Sequence, residues 1–116
     1  MLLKSTRLVN TLIGRGRVYV IRRSYIPEGV VLIKKKRMDS PLAKGYVRRI
    51  GFIKKTEEGY FVRLKCSGEY VMLDKFLPLS GFTSVNEWVN HVELLSRNVF
   101  EKGYLYEIKL LEVYKQ

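Results

Sequence analysis

Arginines are the residues of this chain best suited to chemistry, and four of them, Arg15, Arg17, Arg22 and Arg23, are crowded together. A guanidinium group keeps its charge at physiological pH and presents a planar fork of N–H donors that fits a phosphate group. Gly16 stands between the first two and leaves room for a backbone N–H to approach the same anion. The spacing predicts a phosphate-binding wall. The competing interpretation is that strand alternation sends Arg22 and Arg23 to opposite faces, so that one of them only solvates the surface.

The positive charge is unevenly distributed along the chain. Residues 1–55 hold 15 of the 22 Lys and Arg residues and only two acids, whereas residues 56–116 hold 7 basic and 9 acidic residues, and the net charge is +11. A field of this sign attracts polyanions, among which nucleic acids come first. Further candidate contacts are five basic residues and one aromatic residue suited to base stacking: Lys34, Lys35, Lys36, Arg48, Arg49 and Tyr25. For the lysines, a solvated surface is an equally good interpretation.

Other kinds of site have little support in the sequence. Cys66 is the single cysteine and His91 the single histidine, so neither a disulfide nor a zinc site is predicted, and no metal or cofactor is expected. The apolar runs are far shorter than the ~20 residues of a membrane span. These features predict a cytoplasmic protein without membrane contact. The scarcity of Gln beside abundant Lys, Arg, Glu and Tyr favours a thermophilic source.

The elements that position these residues follow from hydrophobic periodicity. Ser5 is predicted to cap a first helix, which Gly14 ends. Strands are predicted over residues 18–22, 30–35, 46–54, 60–66, 70–73 and 104–114. The connections are too short for parallel crossovers, so the sequence predicts one α+β domain over residues 1–116, a mainly antiparallel sheet that curls into a small barrel with one or two helices.

A second helix has the clearest local signal in the chain. Ser84 and Glu87 have the spacing of a capping box, in which each side chain accepts a hydrogen bond from an otherwise unpaired backbone N–H. Trp88 and nearby apolar residues form one stripe, so this helix is predicted to lie flat on the sheet or over a barrel opening. Capping is a sufficient explanation of Glu87, and a further role in contacting a base or orienting Arg17 is the alternative.

Two stretches of the sequence resemble the ASCH family. Residues 12–23 and 26–33 are similar to its opening, where a helix ends in a Gly, a basic strand ends in an Arg and a turn with Pro and Gly leads to the next strand. Residues 81–88, GFTSVNEW, are similar to the family's helix start, and residues 104–108 to its final strand. The chain thus resembles a small archaeal-type single-domain member. This implies a PUA-like barrel with a cleft between the first helix, the basic strand and the second helix.

The resemblance also bears on activity, because family members are thought to bind RNA or to act on nucleosides. In those similar to amidohydrolases of acetylated cytidine, the chemistry is assigned to a Lys and a Thr on the basic strand and a Glu at the helix start. Matching the terminal Arg to Arg22 puts Arg17 and Val20 at the first two positions, and Glu87 alone is retained. An Arg is a poor base and a Val has no hydroxyl. The resemblance therefore implies binding without assigned catalysis.

The resulting hypothesis is a basic cleft that binds single-stranded or structured RNA, with RNA preferred to DNA and no catalytic residue assigned. The alternative is a hydrolase of ribonuclease or amidohydrolase type that uses Glu87 and Arg17. The predicted nucleic-acid contacts are expected to gather on one concave wall: Arg15, Arg17, Arg22, Arg23, Tyr25, Lys34, Lys35, Lys36, Arg48, Arg49 and Glu87.

Overall fold

The protein has an α+β fold, as the sequence predicts. A computed structural model describes residues 1–96, 100 and 102–114. In chain order the elements are α1 (Thr6–Arg15), β1 (Arg17–Arg22), β2 (Gly29–Ile33), β3 (Ala43–Thr56), β4 (Gly59–Leu64), β5 (Tyr70–Met72), a 3-10 helix (Leu73–Leu79), α2 (Val85–Ser96) and β6 (Lys102–Val113). The 3-10 helix was not predicted. None of the helices described is long and apolar enough to cross a membrane.

The strands form one sheet whose named pairs are all antiparallel. The strand order is β1-β6-β3-β4-β5, and β2 pairs with β3. The long strand β3 pairs with β2 through its first part and with β4 through its second part, while β6 runs beside both parts. The mainly antiparallel sheet is thus confirmed, but across the described residues its ladder does not close into a barrel, because β1 and β5 remain end strands.

A bulge in β3 changes which face of that strand is buried. Val47 lies opposite Ile108 and Gly51 lies opposite Leu105, with an irregular register between Arg49 and Gly51. Ile108 and Leu105 are three positions apart on β6, so their side chains point to opposite faces of the sheet. A face that is buried at one end of the sheet is therefore exposed at the other, and this exposed part carries Arg48.

Helix α1 ends later than the sequence predicts. The prediction that Gly14 ends it is wrong, because the helix continues to Arg15 and Gly16 takes the left-handed cap position with a φ of 79°. The Gly16 N–H donates to the Leu12 carbonyl at 2.9 Å, and its own carbonyl accepts from the Leu110 N–H at 2.9 Å. A left-handed cap suits Gly, which has no Cβ to clash. This cap joins the end of α1 to β6.

The segment before α2 packs closely against α1. Gly81 has a φ of 84°, and a Cβ added to it would lie 2.9 Å from Thr11 Oγ1 and 3.0 Å from the Arg7 carbonyl oxygen. Only Gly accommodates both the backbone angle and the close approach. Below this contact, Leu12 and Trp88 are almost fully buried in the core. The start of α2 is consequently held beside the first turns of α1.

Candidate nucleic-acid interface

A cleft lies between α1, the end of β1 and α2. It consists of two cavities of about 530 Å³ and 270 Å³. Both are lined by Leu8, Arg22, His91 and Leu95, so they adjoin at these four side chains. The family resemblance places a cleft between the same three elements. We refer to these two cavities together as the cleft.

Arg22 brings an uncompensated positive charge to the wall of the cleft. Its Nη2 donates to the Leu2 carbonyl at 3.0 Å and its Nη1 approaches the Ile21 carbonyl at 3.5 Å. No carboxylate in the described part of the chain forms an ion pair with it. Burial removes part of the water around its guanidinium and so lowers its pKa. An anion entering the cleft would relieve this cost.

His91 contributes a second polar group with unused hydrogen-bonding capacity. Its Nε2 atom is buried and has no hydrogen-bond partner among the described residues. Its ring lies 5.1 Å from the Phe82 ring, centroid to centroid. Burial lowers the pKa of His91 below its usual value of 6.5, and the charges of Arg22 and then Arg7 lower it further. The imidazole is therefore mostly neutral at neutral pH, and a bound anion would favour its protonation.

Glu87 lies beside the cleft in an adjoining cavity of about 580 Å³ that His91 also lines. Ser84 Oγ accepts the Glu87 N–H at 3.1 Å, which is one half of the predicted capping box. The Glu87 carboxylate pairs with the Arg7 guanidinium and accepts the Thr83 hydroxyl at 3.2 Å. Its partner is therefore Arg7 on α1, and not Arg17, which the alternative interpretation of Glu87 assigns to it.

Of the other predicted residues, Arg23 and Lys34 line or border the cleft, and Lys35 and Lys36 do not. Arg23 lines the smaller cavity together with Arg22, and its guanidinium lies 5.5 Å from the Phe100 ring centroid. Lys34 lies near the Met1 amino group, whose pKa is lowered first by burial and then by the charges of Lys34 and Arg22. Met1 lines the larger cavity. Lys35 and Lys36 follow β2 in a bend and line none of the cavities described here.

A second cluster lies on the exposed face of the sheet. Arg17, Lys109 and Tyr46 stand side by side across β1, β6 and β3. The next row on the same face consists of Tyr19, Glu107 and Arg48. Here a depression of about 510 Å³ is lined by residues that we call the outer-face patch: Arg15, Gly16, Arg17, Tyr46, Arg48, Glu107 and Lys109.

Glu107 is the buried centre of the outer-face patch. Its two carboxylate oxygens each lie 3.5 Å from a different guanidinium, Oε2 from Arg17 Nη1 and Oε1 from Arg48 Nη2. Glu107 exposes 9% of its side chain, whereas Arg17 exposes 50% and Arg48 exposes 58%. Tyr19 lies opposite Glu107 in the β1–β6 register, and its pKa is raised by burial first and then by the Glu107 charge.

Tyr25 and Arg49 form a third, smaller group. The Arg49 guanidinium lies 5.2 Å from the centroid of the Tyr25 ring, which is 58% exposed. The ring also meets Tyr104 edge-on at 6.3 Å. Arg49 is further fixed because its backbone N–H donates to Glu28 Oε2 at 3.2 Å. Tyr25 thus has the exposure that base stacking requires, next to a cation.

The structure therefore divides the predicted wall among three places. Arg22, Arg23 and Lys34 line or border the cleft, with Glu87 in the adjoining cavity. The remaining predicted residues that belong to a cluster are Arg15, Arg17 and Arg48 in the outer-face patch and the pair Tyr25 and Arg49. Because Arg17 pairs with Glu107 and Glu87 with Arg7, the catalytic pair of the hydrolase alternative is not assembled.

Several residues of these sites were not among the predicted contacts: Arg7, Tyr46, His91, Glu107 and Lys109. Glu107 had a readable signal, since it is an isolated acid within an apolar strand segment that reads LYEI. Arg7 had none, because its contact with Glu87 spans 80 positions.

Metal ligation and known relatives add no further assignment. The described residues contain no group of three or more His, Cys, Asp or Glu side chains that could hold a metal ion. No protein-family model matches the sequence, and no curated protein or solved structure matches the chain. The interpretation of the site rests on its own chemistry.

Proposed function

We propose that this protein is a small ASCH-type module with a PUA-like architecture that binds single-stranded RNA in the cleft, without a catalytic step. The observation that carries the proposal is the cationic Arg22 beside the unpaired Nε2 of His91, both at the wall of a cavity. A polyanion with exposed bases satisfies both groups at once. Its phosphate compensates the guanidinium, and the same negative charge favours protonation of the adjoining imidazole.

The architecture is proposed from the way the gap between β1 and β2 is bridged. The Leu3 N–H donates to the Lys34 carbonyl at 2.8 Å, and the Lys34 N–H donates to the Met1 carbonyl at 2.9 Å. This short parallel segment extends the sheet beyond β2. Arg22, at the end of β1, donates to the Leu2 carbonyl at 3.0 Å from the other side. The Arg22 side chain thus links the end of β1 to the segment that extends β2, which supports the PUA-like arrangement.

Single-stranded RNA is proposed as the ligand because of the size and walls of the cleft. The smaller cavity of about 270 Å³ is bordered by Phe82, Trp88 and Arg22, and it suits one base and not a stacked pair. Such recognition requires a base that is splayed out of a helix, a situation more common in RNA loops than in duplex DNA. We place the protein in a reducing cytoplasm, for which the exposed free thiol of Cys66 is suited.

The decisive test replaces Arg22 and measures binding of a fluorescent single-stranded RNA by anisotropy. Arg22→Met keeps the length of the side chain and removes its charge, and we expect at least ~10-fold weaker binding, or about 1.4 kcal/mol. The matched control is Arg63→Met, since Arg63 is exposed on β4 and lines none of the cavities described. Equal losses of affinity in the two variants would mean that RNA is bound by general electrostatic attraction, and would refute binding in the cleft.

The absence of catalysis has its own test. The Glu87 carboxylate is held by Arg7 and Thr83, an arrangement that positions an anion-binding arginine better than it activates water. We expect labelled RNA and acylated nucleosides to survive incubation with the protein. Turnover that disappears in Glu87→Gln would make the protein an enzyme.

A further inference from the structure

The outer-face patch is built in successive layers that fix two arginines. The Phe76 ring of the 3-10 helix meets the Tyr19 ring edge-on at 5.0 Å. Tyr19 lies directly opposite Glu107 in the β1–β6 register, and Glu107 lies directly opposite Arg48 in the β3–β6 register. Aromatic packing thus fixes the tyrosine, the tyrosine lies beside the carboxylate, and the carboxylate pairs with the two arginines.

The charges of the patch do not cancel. Four cations, Arg15, Arg17, Arg48 and Lys109, line the depression with one carboxylate, that of Glu107. The carboxylate is buried, while Arg17 and Arg48 expose half or more of their side chains. Each guanidinium has five N–H donors, and the 3.5 Å contacts to Glu107 engage one nitrogen of each. The solvent-facing result is a pair of oriented guanidinium groups on β1 and β3, the two strands that flank β6.

An aromatic ring completes the patch. Tyr46 is 44% exposed and stands in the row of Lys109 and Arg17, beside the two arginines. Val30 lies opposite Tyr46 on β2 and is 56% exposed, which extends the apolar surface on that side. A stacking ring beside paired guanidinium groups is the combination with which proteins hold single-stranded nucleic acid.

We propose that the outer-face patch is a second subsite for the same nucleic-acid strand, in which Arg17 and Arg48 grip a backbone phosphate, Tyr46 stacks on a neighbouring base and Glu107 positions the two arginines. This inference rests on the proposed function, because it assigns a second contact to a strand that the cleft also binds. Glu107 is a positioning residue and does not touch the ligand.

Helix α1 determines the separation of the two subsites. Arg7, near its beginning, pairs with Glu87 beside the cleft, and Arg15, at its end, lines the patch. The helix has 10 residues and is therefore about 15 Å long at ~1.5 Å per residue. A strand with a rise of ~3.4 Å per stacked nucleotide covers this distance with about four nucleotides. Short oligonucleotides should reach one subsite, and longer ones both.

Glu107→Gln is the most direct test of the patch. The affinity for RNA should rise if the patch acts only through its positive field, and it should fall if Glu107 orients the arginines. The change raises the net charge by one, so a surface that attracts RNA only through its field would bind more tightly. If Glu107 orients the arginines, a 12-nucleotide single-stranded RNA should bind about 3-fold more weakly, with the loss confined to oligonucleotides longer than about four nucleotides. Tighter or unchanged binding overturns the positioning role.

A double variant tests the subsite even if Glu107→Gln does not fold. Arg17→Met with Arg48→Met should weaken binding of the 12-nucleotide RNA about 10-fold and leave a 3-nucleotide RNA unaffected. The charge-matched control is Arg63→Met with Lys102→Met, since both residues are exposed and line none of the cavities described. Equal losses in the double variant and the control, or equal losses at both lengths, refute the second subsite.

The outcomes also separate this inference from the proposed function. If Arg22→Met leaves RNA binding intact while the Arg17 and Arg48 variant abolishes it, the cleft function fails and the patch is the primary site. If Arg22→Met alone weakens binding, the cleft stands and the second subsite fails. Matched DNA oligonucleotides in the same assay decide whether the strand is RNA or DNA.

Discussion

The cleft and the outer-face patch use the same kind of charge in opposite ways. Arg22 ends β1, is partly buried and pairs with no carboxylate in the part of the chain that the structure describes. Arg17 begins β1, is half exposed and lies against a buried carboxylate. In the cleft, a cation is poorly solvated and a ligand can relieve that cost. In the patch, the acid is buried and the cations keep their contact with water. The effect of the acid there is to fix the orientation of the two guanidinium groups. Both sites use arginine, and they differ in burial. In the cleft the cation is poorly solvated, and in the patch the cations are solvated but held in a fixed orientation.

Salt should change the RNA affinity more than any other condition or substitution considered for the two sites. If the two sites together neutralise about four phosphates, log K should fall with log salt at a slope of about −2.8, or about 50-fold between ~50 mM and ~200 mM. The Arg17 and Arg48 variant should flatten the slope by about 0.7, because the one phosphate that the two arginines grip is lost. Anisotropy titrations over this range measure both. A wild-type affinity that does not change with salt would contradict binding at either site.

The next effect concerns the close contact that shapes the cleft. Gly81→Ala places a Cβ against Thr11 and the Arg7 carbonyl at a φ of 84°, and we expect the free energy of unfolding to fall by about 2 kcal/mol. The control is Gly68→Ala, where φ is 73° but the nearest atom is 3.9 Å away, at the end of a flexible arginine. Urea unfolding should show the smaller loss in the control. Equal losses would mean that the backbone angle alone matters and that the two helices are not held by this contact.

The two sites should differ in how their charged residues affect stability. Glu107→Gln removes the charge that holds two guanidinium groups, and we expect a loss of about 1 kcal/mol in the free energy of unfolding. Arg22→Met removes a poorly solvated cation without a carboxylate partner, so its melting temperature should not fall. Thermal unfolding of both variants tests the contrast. A destabilised Arg22→Met protein would show that Arg22 is structural.

A weaker effect is expected from pH, which should change stability and RNA affinity through the cleft and not through the patch. The folded pKa of His91 lies below 6.5 through burial, Arg22 and Arg7, so the unfolded chain takes up a proton first and stability falls as pH drops below about 6.5. A bound phosphate favours the imidazolium, so RNA affinity should rise about 3-fold between pH ~7.5 and ~5.5. His91→Gln should remove this rise. A rise that persists would belong to another group, such as the Met1 amino group in the same cavity.

The positions of the main elements could be predicted from the sequence because they depend on local periodicity. The first strand, the β3–β4 hairpin and α2 all lie close to their predicted positions. The bulge near Ile50 could not be read, since it follows from the pairing of β3 with both β6 and β4. The 3-10 helix was missed because seven residues with a Pro give no helical periodicity.

The arrangement of the candidate site was less predictable for a physical reason. Arg17 and Arg22 are five positions apart on one strand, and this odd spacing sends their side chains to opposite faces. The odd spacing is visible in the sequence, but the prediction of a single wall did not take it into account. The pairing of Arg7 with Glu87 depends on two distant helices meeting at Gly81, which no local pattern reveals.

Helix α1 also has a different candidate site near each of its two ends. One of its ends lies beside the cleft and the other reaches the outer-face patch, and a nucleic-acid strand has two chemically distinct ends. A strand that touches both places would therefore bind with different free energies in its two orientations. The protein would read 5′-to-3′ order, so an oligonucleotide and its reversed sequence should be bound unequally even though they have the same composition and charge.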